Sequence, residues 1–283
     1  MPPGNRVVRI GMLKAMPAKW DVEANWAVFE EEFARHRDFG LDVFVTPECF
    51  LDGYAVTEAD WTVPKFRSVA QTVGESQYLR RVLDLARRSK THIAFGFTEA
   101  KHGRFYNAAL LAGRNGEILG TYYKTHLQNQ DRRFAAGQDL PVFELDFGTV
   151  GLAICADRRW PETVRVLRLK GAEVCLMPTY GMSHLDNEWW MRTRSYENQM
   201  FVCFAHPAVA FIAGPTGQLD AKLQSSVPDV LVHEIDLATA TGGNHLKDRR
   251  PELYGVLSDA THPSRQAPFE PSTAEGVWRE RHD

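Results

Sequence analysis

Long apolar runs are missing from this sequence. No stretch approaches the roughly 18 residues that a bilayer-spanning helix needs, and the opening MPPGNRVVRIGML lacks a basic segment followed by a long apolar one. Neither a membrane protein nor a secreted one is expected, so a cytoplasmic location is. Excess charge of either sign is missing too. The 33 Lys and Arg residues and 36 Asp and Glu residues are interspersed and leave a net charge of -3, which gives no footprint for nucleic acid or an anionic membrane. Cysteine is scarce: Cys49, Cys155, Cys175 and Cys203 have no CxxC or CxxH spacing, which excludes a disulfide framework or a zinc knuckle and leaves separate thiols in a reducing compartment. The ten histidines form no HxxxH or HExxH pair, so no metal is expected. No GxGxxG or GxxxxGK[ST] follows an expected strand, which argues against a nucleotide-binding module. Small-molecule chemistry remains.

What is present begins as alternating strand and helix patterns. Val7–Leu13, Asp42–Glu48 and His92–Ala100 read as strands, and Val22–Arg37 and Glu75–Lys90 as amphipathic helices. Asn115-Gly116 lies between two apolar runs as the pair that best supplies the positive φ values of a tight hairpin, and Ala208–Leu223 reads as a second hairpin. TVGLAIC, AEVCLMP and MFVCFAHP read as buried strands separated by helices near Pro161–Leu169 and Asn187–Gln199. The hairpins break a doubly wound pattern, so mixed sheets are expected. From about Lys247 the chain turns polar and proline-rich. The expected division is a domain over residues 1–257 and a tail over 258–283, draped over a surface or a partner subunit. No sequence repeat is evident.

Cys155 stands where the run GLAIC ends and DRRWPE begins. Pro161 suits the first turn of a helix and Glu162 complements its positive end. Two readings are open: a small buried hydrophobe, or a thiol at the carboxyl end of a strand, facing a helix N-terminus that lowers its pKa toward roughly 3.5–7.5. A nucleophile also needs a proton acceptor and an oxyanion stabiliser. Glu48, ending FVTPE, and Lys124, ending GTYYK, are candidates, although each alone reads as a solvated strand end. A carboxylate in a partly apolar pocket has a raised pKa, which suits it to proton transfer near neutrality.

The segments TPE at Glu48, YYKTHL at Lys124 and ICADRRWPE at Cys155 resemble, in order and approximate spacing, the three signature segments of the nitrilase, or carbon-nitrogen hydrolase, superfamily. The similarity runs from about Arg6 to Leu257. It implies a four-layer αββα sandwich, no cofactor or metal, and a homodimer or larger assembly. It also implies roles. Glu48 would be the general base, Cys155 the nucleophile that forms a thioester, and Lys124 with the backbone N–H of Ala156 the oxyanion site. The family usually has a second glutamate where this chain has Gln130, with Asp131 next to it. That glutamine could still accept a hydrogen bond from Lys124, but it removes a negative charge.

Within the superfamily, DRRWPE followed by GAEV and RTRSYENQMF is most similar to N-carbamoyl-D-amino acid amidohydrolases. The resemblance implies that Arg158 and Arg159 bind a substrate carboxylate, a task suited to guanidinium geometry, and that His126 and Asn107 line the pocket. Alternatively, either arginine pairs with Glu162, Asp157 or another structural acid. PECFLDGY is closer to the aliphatic amidase and omega-amidase branches. A nitrile is disfavoured because Ala156, not tryptophan, follows the cysteine. The expected activity is hydrolysis of a small linear amide, foremost an N-carbamoyl amino acid. The alternatives are a simple aliphatic or omega-amidase, and a weakly active scaffold homologue prompted by Gln130.

Overall fold

The computed structural model describes residues 6–128, 131–181 and 186–263. Gln130 and the tail beyond residue 263 lie outside the described residues. The chain runs β1 (Val7–Lys14), α1 (Val22–His36), β2 (Val43–Val45), α2 (Val63–Val69), α3 (Gln77–Ser89), β3 (His92–Lys101), β4 (Arg104–Ala112) and β5 (Ile118–Tyr123). It continues through β6 (Val142–Leu145), β7 (Gly148–Leu152), α4 (Pro161–Leu169), β8 (Val174–Pro178), α5 (Asp186–Asn198), β9 (Phe201–Ala205), β10 (Ala210–Ala213), β11 (Leu219–Leu223) and β12 (Asp229–Asp236). Local chemistry sets several ends. Asp21 accepts from Ala24 N–H at 2.9 Å to start α1, and Ser76 from Leu79 N–H at 3.3 Å to start α3. Pro161 opens α4.

The strands form two six-stranded sheets, ordered β12-β1-β2-β3-β4-β5 and β11-β10-β9-β8-β7-β6. In the first, β1, β2 and β3 are parallel and the remaining pairings antiparallel. The second repeats this with β7, β8 and β9 parallel. Alternation along each strand then builds the layers. Val43 and Val45 join Leu152, Leu176 and Cys203 in the core between the sheets. Phe44 points the other way, onto Trp26, Phe29 and Phe33 of α1 and Val82 of α3. Met177 and Phe204 likewise pack against Val164 and Leu167 of α4 and Met191 of α5. The four-layer αββα sandwich with mixed sheets is thus the fold.

Three elements had no sequence signal: α2, β6 and β12. The last closes the first sheet through the antiparallel register Val7↔Asp236 to Lys14↔Asp229. It is an edge strand whose burial does not alternate cleanly, so periodicity misses it. The Asn115-Gly116 turn also differs from expectation. Only Gly116 has positive φ, at 89°. Gly113 N–H meets Glu117 O at 2.8 Å and Gly116 N–H meets Gly113 O at 2.9 Å. The register shifts at Leu111/Ala112, so this is a longer turn with a bulge that needs one left-handed residue, not two. Among the described residues no helix is long and apolar enough to cross a membrane.

Candidate active site

The three signature segments converge at the carboxyl ends of strands, where open α/β sheets place their ligands. Glu48 follows β2, Lys124 follows β5, and Cys155 lies three residues beyond β7. Close backbone approach seats Glu48. A Cβ on Gly96 of β3 would stand 2.2 Å from Pro47 O, so the lack of a side chain lets the Pro47–Glu48 backbone lie against the sheet.

Glu48, Lys124 and Asp131 are fully buried and joined. Lys124 Nζ donates to Glu48 Oε1 at 2.8 Å and to Asp131 Oδ2 at 2.6 Å. Asp131 is held in turn by Tyr54 Oη–H and by Gln128 N–H at 3.1 Å. Burial by itself would lower the Lys124 pKa, but Glu48 and Asp131 hold it well above the ordinary lysine value. The group is therefore an ammonium at neutral pH. The expected loss of a negative charge at position 130 does not leave Lys124 short of a second acid. Asp131 supplies that carboxylate one residue later, a partner that aligning the motif by position alone did not assign. Asn107 Nδ2 donates to the same Glu48 Oε1 at 2.7 Å, so its amide is directed to Glu48. Glu48 Oε2 is buried with no hydrogen-bond partner.

Cys155 is not the last residue of a strand. It opens a 3-10 turn, Cys155–Arg159, with φ at 45°, a left-handed conformation that a non-glycine residue holds at a cost of about 1–3 kcal/mol. Helix α4 begins only at Pro161, beyond that turn. Burial pushes the Cys155 thiol up and the Glu48 charge adds to this, against the pull of Lys124 and Arg158. The expectation of a lowered pKa is thereby corrected: desolvation outweighs the two cations, and the resting group is a thiol. Alkylation of Cys155 by iodoacetamide is expected to keep rising with pH through the ordinary thiol value of 9.0. Peptide mapping across pH checks this, and a plateau already reached at neutrality would contradict it. Burial also raises the other three thiols.

Arg158 is about 1% exposed. Its Nη1 lies 3.1 Å from Cys155 Sγ and its Nη2 3.4 Å from Gly181 O. The guanidinium carbon sits 5.7 Å from the Trp190 ring and 5.8 Å from the Phe204 ring. Its Nε is buried without a partner, and it forms no ion pair among the described residues. Pairing with Glu162 or Asp157 is therefore not what holds it. Arg159 is directed elsewhere, onto Gln128 Oε1. His126 stacks on Trp160 at 4.2 Å and bonds through Nδ1 to Asp157 Oδ1 at 2.8 Å. Ala156 is the second residue of the 3-10 turn, where a helical N–H meets no intrahelical carbonyl. Helix α5 braces the turn from behind: Arg194 Nε and Nη2 donate to Arg158 O at 3.0 Å and Arg159 O at 3.2 Å. Tyr54 and Arg194 fall inside the segments PECFLDGY and RTRSYENQMF, but neither segment assigned them a role; their place at the site, like that of Trp190, comes from packing between distant segments.

Among the described residues, one His-carboxylate group is close enough to surround an ion: Glu32, His36 and Asp229, on α1 and β12. Arg35 already donates to Glu32 at 2.9 Å, and both carboxylates act on the Lys14 ammonium. It reads as an ion-pair cluster.

An αββα sandwich with cysteine, lysine and two acids gathered at its strand ends defines the class. The chain belongs to the carbon-nitrogen hydrolase family, whose model matches residues 9–243. It is a hydrolase acting on carbon–nitrogen bonds other than peptide bonds. A protein of Pseudomonas protegens named "Hydrolase in pqqF 5'region" is 32% identical over 90% of this chain and 93% of its own length. An N-carbamoylputrescine amidase of Solanum lycopersicum is 27% identical over 89% of this chain and 95% of its own. Among solved structures, an amidase from Nesterenkonia sp. superposes with a TM-score of 0.77 at 22% identity, covering 90% of this chain and 97% of that one.

Proposed function

We propose that the protein hydrolyses a small linear amide that carries a carboxylate, with N-carbamoyl amino acids the foremost class, through Glu48, Lys124 and Cys155. Glu48 Oε2, buried and unpartnered, takes the proton of the Cys155 thiol as sulfur attacks the carbonyl carbon. The developing oxyanion is held by the Lys124 ammonium and the Ala156 N–H. The tetrahedral intermediate collapses by breaking the C–N bond, the proton on Glu48 passes to the departing nitrogen, and ammonia leaves a thioester. Water, deprotonated by Glu48, then attacks that thioester; the C–S bond breaks and Glu48 returns the proton to the departing sulfur. With a carbamoyl substrate the product is an N-carboxy amine, which loses carbon dioxide to give the free amine.

The observation that carries the substrate class is Arg158. Among the described residues no carboxylate pairs with this buried guanidinium, an arrangement that is costly unless an anion joins it, and it stands at the nucleophile. It favours an anionic substrate and disfavours a cationic one such as N-carbamoylputrescine. Asp131 on Lys124 supports an active site over a silent scaffold.

Ammonia release from N-carbamoyl-D- and L-amino acids, N-carbamoylputrescine, aliphatic amides, omega-amides and nitriles tests the reading. Release is expected to be fastest from a carboxylated carbamoyl substrate. Arg158→Met is expected to raise KM for it by about 30-fold or more, with neutral amides much less affected. Preference for neutral amides would discard the carboxylate reading and keep the thiol chemistry. No release from any member would favour the scaffold.

A further inference from the structure

Asp157 is buried completely, two residues after Cys155 in the same turn. Its Oδ2 accepts from Ile154 N–H at 2.9 Å and Tyr122 Oη–H at 2.7 Å. Its Oδ1 faces Thr125 Oγ1 at 2.9 Å, His126 N–H at 2.9 Å and His126 Nδ1 at 2.8 Å. These partners have a pattern. Tyr122 and the Thr125-His126 pair lie on either side of Lys124, while Ile154 and Asp157 itself lie on either side of Cys155. One carboxylate thus ties the end of β5 in the first sheet to the turn after β7 in the second, and it brackets both reacting side chains.

We propose that Asp157 is a positioning residue that clamps the Lys124 loop against the Cys155 turn and so sets the place of the ammonium relative to the sulfur. The clamp also has a local task. Cys155 is held at φ 45°, and the bond from Asp157 to Ile154 N–H closes the backbone around it, offsetting that strain. Burial works to raise the Asp157 pKa, but the hydrogen bonds from His126, Tyr122 and Ile154 hold it below the ordinary value, so the clamp stays ionised. His126 is part of this clamp, with its ring pinned between Asp157 and Trp160. The proposal rests on the reading of Lys124 and Cys155 as reacting groups.

Asparagine at 157 cannot satisfy both sides. Whichever way its amide sits, the NH2 faces a backbone N–H, either that of Ile154 in the cysteine turn or that of His126 in the lysine loop. One half of the clamp opens in either orientation.

The test compares wild type with Asp157→Asn, Tyr122→Phe and Thr125→Val by kcat, KM, thermal unfolding, and the rate of Cys155 alkylation by iodoacetamide. Asp157→Asn is expected to lower kcat per titratable Cys155 by about 30-fold or more with KM within about threefold, and to change the alkylation rate by at least about fivefold. Tyr122→Phe and Thr125→Val, which each delete one donor on the lysine side and spare the Ile154 bond, are expected to fall between it and wild type. They carry the test if Asp157→Asn does not fold. Folded variants with kcat per titrated thiol and alkylation rate both within about twofold of wild type would overturn the clamp, since a merely structural role lowers only the folded fraction. If wild type released no ammonia from any amide, the proposed activity would fall. The alkylation rates would still decide the clamp.

Discussion

Cys155→Ala is expected to lower ammonia release by on the order of 10⁵- to 10⁶-fold, the scale seen when the nucleophile of a concerted site is removed, while the protein stays folded. Alanine adopts the left-handed turn no better and no worse than cysteine, and it deletes only a sulfur atom beside Arg158 Nη1. Thermal unfolding should therefore move by a few degrees at most, which separates chemistry from folding. Cys155→Ser is expected to be almost as damaging. Burial and the nearby Glu48 charge already push the thiol up, and a hydroxyl is harder still to deprotonate. Retention of a tenth of the wild-type rate in either variant would exclude a covalent route through this residue.

Lys124→Met is expected to abolish activity and to cost about 3–5 kcal/mol of stability at neutral pH, because it leaves two fully buried carboxylates, Glu48 and Asp131, without their shared cation. The sign with pH follows from linkage. Wild-type Lys124 has its pKa raised in the folded state, so its contribution is complete below the unfolded value near 10.5 and is lost only as pH rises through the folded value. In the variant, the orphaned carboxylates favour a bound proton in the folded state. Stability then grows as pH falls. Unfolding midpoints of the two proteins should converge as pH is lowered toward 5. A gap that stays constant with pH would show that the lysine stem, not its charge, was the stabilising part. Asp131→Asn is the milder counterpart: one ammonium still faces one carboxylate, so a smaller loss, about 1–3 kcal/mol, is expected.

Much of this protein was legible before any coordinates. Strands with continuous apolar runs, such as AEVCLMP, are buried on both faces and announce themselves by composition. The three segments marked Glu48, Lys124 and Cys155 through their joint resemblance to the family's signature segments, since each residue alone reads as an ordinary strand end. Other features were not legible. Strand β12 is half-exposed, and its existence depends on a partner more than 200 residues earlier, Val7 pairing with Asp236. The turn at Asn115 has a dipeptide compatible with two hairpin types, and the register of the strands around it decides between them.

The sequence by itself determined the alternation of elements and the mixed character of the sheets, since these rest on local pattern, and its short motifs singled out Glu48, Lys124 and Cys155 as the candidate reacting groups. Tertiary structure alone decided that Asp131 completes the lysine's environment, that Cys155 rests as a thiol, that Arg158 faces the sulfur with no acid beside it among the described residues, and that Asp157 joins the two sheets' loops. The two halves also share a strand order that no sequence repeat reveals. The physical reason is common to these cases. Charge balance, desolvation and register depend on groups brought together from distant parts of the chain, and a side chain's role there is set by its neighbours in space.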